Sequence, residues 1–191
     1  MKLDIVVCGV GGQGVISVAT VIAKGAIKAG FKTRQSEVHG MAQRGGSVLA
    51  HLRIADRTIE SDLIPRQSAN FILGMEPIES LRYLQYLEKD GTLITSVDPV
   101  INIPNYPDEE FYLGKIKSVP KHVTIPAQKT AVDAGSGRAA NMVMVGAVSK
   151  STAIDEAYFK DAIRETYGSK GDKIVEINLR AFDLGREATT N

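Results

Sequence analysis

The sequence predicts an α/β protein with a Rossmann-like, mostly parallel sheet flanked by helices and with a helical C-terminal half. Residues 3–8 are nearly all apolar and rich in β-branched side chains, as in a strand that is covered on both faces. A glycine-rich turn follows, and residues 14–29 then show helical spacing. Strand and helix patterns continue to alternate, as in βαβ units. At 191 residues, the chain is predicted to form a single domain, residues 1–191.

The remaining elements follow the same two periodicities. Strands are predicted at 32–38, 47–54, 69–75, 91–97 and 121–125. Helices are predicted at 77–89, 127–135, 138–151, 155–167 and 172–188. Prolines are concentrated between residues 98 and 126, so irregular connections are expected there apart from the brief strand.

The first predicted helix has an unusually wide apolar circumference. Its polar residues Ser17, Thr20, Lys24 and Lys28 form one narrow stripe, and the remaining positions are apolar or small. Such a helix is expected to be covered on more than one side.

Composition excludes several classes of function. The 23 Lys and Arg nearly balance the 22 Asp and Glu, and a net charge of +1 argues against a nucleic-acid partner. Cys8 is the only cysteine, so the chain cannot hold a cysteine-ligated iron–sulfur cluster by itself, and no metal site is predicted. Asp4 interrupts the first apolar run, which is too short for a signal peptide, and no apolar run is long enough to span a membrane. A cytoplasmic protein is therefore expected.

The stretch "VVCGVGGQGVISVA" is the first candidate site. Gly9, Gly11 and Gly14 satisfy the G-x-G-x-x-G pattern, and Glu37 ends the next predicted strand, where a dinucleotide-binding fold places its ribose-binding acid. A Walker-type phosphate loop is excluded, because Val15 follows the last glycine where lysine is required. Two interpretations stay open: a turn that binds a diphosphate, and a structural turn that permits close packing.

The loop "SEVHGMAQRGGS" is the second candidate site. It places Glu37, His39, Gln43 and Arg44 among glycines directly after a strand, where functional residues of open α/β sheets gather. With only three histidines in the chain, a complete hydrolytic triad is not expected. The alternative is a solvated polar loop.

Taken together, these segments resemble the gamma subunits and domains of 2-oxoacid:ferredoxin oxidoreductases. "GVGGQGVISVATVIAKGAIKAG" is similar to the opening strand, turn and helix of that family, and "SEVHGMAQRGGSV" resembles its indolepyruvate (arylpyruvate) branch. "GMEPIESLRYL", "GRAANMVMVGAVS" and "INLRAFDLG" resemble later blocks in order. The resemblance spans nearly the whole chain.

The resemblance implies a subunit of an enzyme that decarboxylates a 2-oxoacid oxidatively, with coenzyme A and ferredoxin as acceptors. Thiamine diphosphate and the [4Fe-4S] clusters are implied to belong to a large (alpha) subunit, so this chain would be inactive alone and would supply no catalytic residue. The wide apolar face of the first helix then favours burial against that partner. A homodimer of the isolated chain is left open.

The resemblance also gives the two candidate segments a role. The glycine turn would face the partner subunit or a shared pocket that receives the phosphates of coenzyme A, and Arg44 would attract a carboxylate or phosphate. The residues expected to bind a cofactor or to face the partner's active site are Gly9, Gly11, Gly12, Gln13, Gly14, Glu37, His39, Gly40, Gln43, Arg44, Gly45 and Gly46. The alternative function is that of a stand-alone NAD(P)- or FAD-binding protein.

Overall fold

The computed structural model describes residues 1–38 and 45–189. Its strands are β1 (Lys2–Val10), β2 (Lys32–Val38), β3 (Ser47–Ala55), β4 (Ala69–Gly74), β5 (Leu87–Ser96) and β6 (His122–Ile125). Its α-helices are α1 (Val15–Lys28), α2 (Pro77–Arg82), α3 (Glu109–Lys117), α4 (Ala127–Ala134), α5 (Ala140–Ser149), α6 (Glu156–Tyr167) and α7 (Asp172–Glu187). Short 3₁₀ turns cover Leu84–Tyr86, Gly137–Ala139 and Gly168–Lys170.

The six strands form one sheet in the order β2-β3-β1-β4-β5-β6. The four strands β1, β4, β5 and β6 pair in parallel, whereas β3 is antiparallel to both of its neighbours. Five of the six strands therefore point the same way, and the predicted mostly parallel α/β sheet is confirmed. The sequence did not indicate that β3 lies between β1 and β2, and this placement matters for the site.

Alternate residues of β1 face two separate cores, as expected for a strand covered on both sides. Ile5 and Val7 belong to the larger core, which α1 and the helices α4 to α7 supply. Val6 and Cys8 belong to the smaller core, which includes Tyr112 of α3 and residues packed around α2. The helical C-terminal half thus covers one face of the sheet, while α2 and α3 cover the other.

The chain itself covers most of the wide apolar circumference of α1. This helix contacts the sheet on one side and α5 and α6 on another. At Gly25 a Cβ atom would approach the Phe159 ring of α6 to 2.9 Å, so the two helices meet closely. The polar stripe faces outward, where Lys24 and Lys28 both pair with Glu165. The breadth of this apolar face is therefore no evidence for a partner subunit, whose contact with α1 stays a prediction, and Ile16 and Ile27 are 37% and 57% exposed.

Two elements differ from their predicted forms. The helix predicted over 77–89 ends at Arg82, and residues from Leu87 onward join β5, because the strand's pairing with β4 overrides the helical spacing. Residues predicted to be irregular contain α3, whose Tyr112 and Ile116 are buried. The prolines flank this helix without entering it, so they do not prevent it.

Candidate functional site

The glycine turn lies at the carboxyl edge of the sheet, between β1 and β4. From β1 the chain passes to α1 on one face, and from β4 it passes to α2 on the opposite face. In open α/β sheets the crevice at such a change of direction is the usual place for a ligand. This edge of the sheet is therefore the candidate functional site.

Close packing and backbone conformation both require glycine at positions of this turn. A Cβ atom at Gly9 would lie 2.8 Å from Met75 Cβ, and one at Gly14 would lie 2.9 Å from Asn141 Nδ2. Gly12 and Gly14 have positive φ angles of 104° and 80°, which side-chain-bearing residues rarely adopt. Space around Gly12 is open, because no described heavy atom lies within 4 Å of its built Cβ position.

The side-chain amide of Gln13 makes two hydrogen bonds that stabilise the turn. Its Oε1 accepts a hydrogen bond from Val10 N at 2.8 Å, and its Nε2 donates to Met75 O at 3.0 Å. The amide oxygen therefore holds the end of β1, and the amide nitrogen ties the turn to the residue that follows β4. Gln13 therefore has a structural role in the turn, and its predicted contact with a cofactor or partner stays a prediction.

The second candidate segment meets the first. Gly11 N donates to Gly46 O at 2.8 Å, and Gly45 N donates to Gly11 O at 3.4 Å. Asn102 Nδ2 also donates to Gly45 O at 2.7 Å. The base of the loop, at Gly45 and Gly46, is thus hydrogen-bonded to the glycine turn. His39, Gly40, Gln43 and Arg44 lie outside the described residues, and their roles stay predictions.

Glu37 does not lie where a dinucleotide-binding fold would require it. In that fold the strand after the first helix is the direct neighbour of β1, whereas here β3 separates β2 from β1. Two strand spacings of about 4.8 Å each place β2 about 10 Å from β1. The Glu37 carboxylate instead accepts a hydrogen bond from Gln35. The arrangement gives no support to a stand-alone NAD(P)- or FAD-binding protein.

A cavity of about 300 Å³ opens beside the glycine turn. It is lined by Gly12, Gln13, Met75, Ser96, Asp98, Val100, Ala127, Gln128, Gly137, Arg138, Ala140 and Asn141. Asp98, after β5, uses its Oδ2 to accept from Gln128 N at 2.7 Å and from Ser96 Oγ at 2.8 Å. This carboxylate therefore serves the first turn of α4.

Arg138 is a site residue that the sequence interpretation did not single out. Its backbone N–H is capped by Ser136 Oγ at 3.3 Å, and its side chain is exposed at the wall of the cavity. Within the described chain no acidic side chain pairs with it. The only signal was its place in "SGRAAN", a small-residue turn before a helix.

A second cavity, of about 470 Å³, shares Arg138 and Asn141 with the first. It adds Lys170, whose Nζ lies 5.2 Å from the centre of the Tyr167 ring, and apolar contacts from Ile174. None of the described residues that line it is acidic. Two cations beside an apolar wall provide an environment for an organic anion.

Other candidate groups are structural. Burial raises the pKa of the Cys8 thiol, and the nearby Glu79 and Glu76 raise it further, so the thiol stays protonated and inert. His51 is buried, and its Nδ1 accepts a hydrogen bond from Ile64 N at 3.0 Å. Burial, and to a smaller extent Arg53, lowers the pKa of His51.

The described residues do not fit an iron–sulfur cluster or another metal centre. They contain no group of three or more His, Cys, Asp or Glu side chains arranged around a common point, and the one cysteine of the chain is buried. Among the same residues, no helix combines the length and the apolarity needed to cross a bilayer.

Comparison with known proteins gives a consistent result. The family model described as pyruvate ferredoxin/flavodoxin oxidoreductase matches residues 4–188. The indolepyruvate oxidoreductase subunit IorB of Pyrococcus horikoshii is 36% identical over 201 aligned residues, which cover 98% of this chain and 96% of that protein.

Two solved structures share the fold. The gamma subunit of the keto/oxoacid ferredoxin oxidoreductase of Geobacter sulfurreducens superposes with a TM-score of 0.72 at 25% identity, over 98% of both chains. The 2-oxoglutarate:ferredoxin oxidoreductase of Magnetococcus marinus, solved with 2-oxoglutarate, coenzyme A and succinyl-CoA bound, gives a TM-score of 0.80 at 22% identity. That match covers 98% of this chain and 31% of the longer one, so the present chain spans about a third of it.

The match over almost the full length confirms the resemblance seen in the sequence. The chain belongs to the pyruvate ferredoxin/flavodoxin oxidoreductase family, as a small subunit of a 2-oxoacid:ferredoxin oxidoreductase.

Proposed function

We propose that this chain serves an indolepyruvate (arylpyruvate) ferredoxin oxidoreductase of the cytoplasm, together with a large subunit that carries thiamine diphosphate and iron–sulfur clusters. The observation that carries the proposal is its 36% identity to the indolepyruvate subunit of Pyrococcus horikoshii over almost the entire length of both chains. The chain has a single cysteine, so the clusters have to be held by the partner.

The overall reaction converts a 2-oxoacid, coenzyme A and two oxidised ferredoxins into an acyl-CoA, carbon dioxide, a proton and two reduced ferredoxins. Cleavage of the carbon–carbon bond and electron transfer are supplied by the groups on the large subunit. The residues of this chain bind and orient, because its candidate site combines a rigid glycine turn, backbone N–H groups and an exposed arginine.

The carboxyl-edge site is suited to the phosphates of coenzyme A. Helix α1 begins at the glycine turn with Gly14 as its N-cap, no side chain caps it, and its first turn contains no acidic residue. Its free N–H groups therefore favour an anion. Arg138 stands at the wall shared by the two cavities, and Lys170 lines the second one. A chain of this fold also occurs in the Magnetococcus marinus enzyme that was solved with coenzyme A.

Reconstitution tests the proposal. The tagged small chain is purified anaerobically with its large partner, and indolepyruvate-dependent reduction of a viologen dye is measured with coenzyme A and thiamine diphosphate present. Activity is expected only when both chains are present. Purification of this chain alone, with a bound flavin or nicotinamide, would contradict the proposal.

Arg138→Gln tests the phosphate-binding part in the assembled enzyme. Loss of one charge-assisted contact is expected to raise the KM for coenzyme A about tenfold, with the KM for the 2-oxoacid unchanged. Arg164→Gln is the matched control, because Arg164 lies on α6 and pairs with Asp161 at 2.8 Å, outside both cavities. Equal KM values for coenzyme A in the two variants would remove Arg138 from the site.

A further inference from the structure

Two glutamates in helix α2 and at its N-cap are almost fully buried. Glu76 is 1% exposed and Glu79 is 5% exposed. A buried carboxylate is costly unless strong hydrogen bonds or a cation compensate it. Within the described chain no Lys or Arg pairs with Glu76. Its burial therefore depends on hydrogen-bond donors, and the identity of those donors is informative.

Glu76 holds the segment that connects β5 to α3. As the N-cap of α2, it accepts at Oε2 from Glu79 N at 2.8 Å. Its Oε1 accepts from the hydroxyl of Tyr106 and from Val100 N at 3.4 Å. Burial raises the pKa of Tyr106, and the hydrogen bond to Glu76 raises it further, so the phenol keeps the proton that it donates.

Glu79 holds the start of β3. Its Oε2 accepts from the hydroxyl of Ser47, whose Oγ lies 2.9 Å from the hydroxyl of Tyr83. The remaining carboxylate oxygen, Oε1, accepts from Arg82 Nε at 3.2 Å. Ser47 directly follows Gly46, so this contact fixes the point where the loop enters β3.

Both attachments lead to the base of the same loop. The segment held by Glu76 includes Asn102, whose Nδ2 donates to Gly45 O at 2.7 Å. Next to the residue held by Glu79, Gly46 O accepts from Gly11 N of the glycine turn at 2.8 Å. The two buried acids therefore secure the loop base from two directions against the turn that opens α1.

We propose that Glu76 and Glu79 are positioning residues, which hold the base of the loop at Gly45 and Gly46 against the glycine turn. Their effect on the enzyme rests on the proposed function of that turn as the coenzyme A-facing edge. They touch no reacting atom, and they act through Tyr106, Asn102 and Ser47.

Two substitutions, each of which removes one hydroxyl group, test the two attachments separately in the assembled enzyme. Tyr106→Phe removes the donor to Glu76, and Ser47→Ala removes the donor to Glu79. Tyr112→Phe is the control, because this ring packs against Tyr106 with centroids 6.2 Å apart, yet no described group hydrogen-bonds to its hydroxyl. Amide hydrogen exchange is followed over residues 45–47 and 98–106, together with the KM for coenzyme A, kcat and Tm.

Tyr106→Phe is expected to speed exchange about tenfold in both segments, because a hydrogen bond to a carboxylate is lost. Ser47→Ala is expected to speed it in residues 45–47. Each of these two substitutions is expected to raise the KM for coenzyme A severalfold and to leave kcat unchanged. The control, Tyr112→Phe, is expected to change neither the exchange rates nor the KM. The positioning role is overturned if amide exchange at residues 45–47 is as slow in the two variants as in the control. It is also overturned if the variants lower the Tm and leave the KM for coenzyme A unchanged.

The assembled wild-type enzyme, made of this chain and its large partner, separates this inference from the proposed function. If it fails to turn over indolepyruvate, the proposed function is contradicted, and exchange at residues 45–47 alone then decides the positioning role.

Discussion

A charged residue at each end of the sheet can be compared: Asp4 at the amino end is paired, and Arg138 at the carboxyl end has no acidic partner in the described part of the chain. At the amino end of β1, Asp4 is 1% exposed and accepts from Arg53 Nε at 2.9 Å and Nη2 at 3.2 Å, while Lys2 Nζ lies 3.0 Å away. At the carboxyl end, Arg138 is exposed beside a cavity, and no described acid pairs with it. The charge of Asp4 is satisfied within the chain, whereas the charge of Arg138 is available to a ligand.

This difference separates stability from function. Once desolvated and paired, the charges of Asp4 and Arg53 are needed by the fold, because removal of the carboxylate leaves a largely buried guanidinium without a countercharge. An exposed cation on a rigid frame contributes little to stability, yet it can attract a charged ligand. Substitutions at the two ends should therefore change different measurements.

The largest effect on stability is expected for Asp4→Ala. Arg53, whose side chain is 16% exposed, would lose its bidentate carboxylate partner, and the free energy of unfolding should fall by about 3 kcal/mol. Urea unfolding of the small chain measures this change. Arg138→Gln, at the other end of the sheet, should shift the same curve by less than about 0.5 kcal/mol. A similar loss for both variants would remove the distinction between the two ends.

A second contrast concerns glycines, and it gives an intermediate effect. In the α5–α7 contact, a Cβ atom at Gly146 would lie 2.0 Å from Phe182 O, whereas a Cβ at Gly114 of α3 meets no described atom within 4 Å. Gly146→Ala should therefore destabilise the chain by about 2 to 3 kcal/mol through overpacking.

Gly114→Ala is the matched control, because it is also a substitution inside a helix. It should raise stability by about 0.5 to 1 kcal/mol, since alanine has the better helix propensity and no contact opposes it. Thermal unfolding of both variants tests the pair, and equal shifts would contradict the close approach of α5 and α7.

The smallest effect is expected from pH, at His51 in the middle of β3. Its folded-state pKa is lowered, chiefly by burial, so on acidification the unfolded chain binds the proton first. Stability contributed by the neutral ring is complete above the unfolded value of about 6.5 and is lost as the pH falls below it. Urea unfolding at pH 7.5 and 5.5 should show a larger drop for the wild type than for His51→Asn. An identical drop would show that His51 does not titrate on unfolding.

Sequence periodicity predicted most of the fold, but it was less reliable where two elements compete. All six strands were placed near their observed positions, because continuous apolar runs such as "LDIVVC" suit strands buried on both faces. The helix predicted over 77–89 was too long, since its last residues gain more from pairing with β4 than from their helical spacing. Helix α3 was missed because prolines flank it on both sides.

The candidate site was predicted in part. Gly12 and Gly14 could be recognised, because the turn from strand to helix has a strong local signature. Arg138 and Asn102 lie far from the turn in the sequence and carry no local signature, so only folding brings Arg138 to the cavity beside the turn and Asn102 to Gly45.

By itself, the sequence determined the fold class, the family and the absence of ligands for an iron–sulfur cluster, because these depend on local periodicity, motif and composition. The tertiary structure decided that β3 separates Glu37 from β1, and that the helices of the chain itself cover α1. It also brought Ser47 into hydrogen-bond contact with the buried Glu79, and Tyr106 into hydrogen-bond contact with the buried Glu76. The physical reason is that strand order and side-chain contacts arise between segments distant along the chain, where no repeat in the sequence records them.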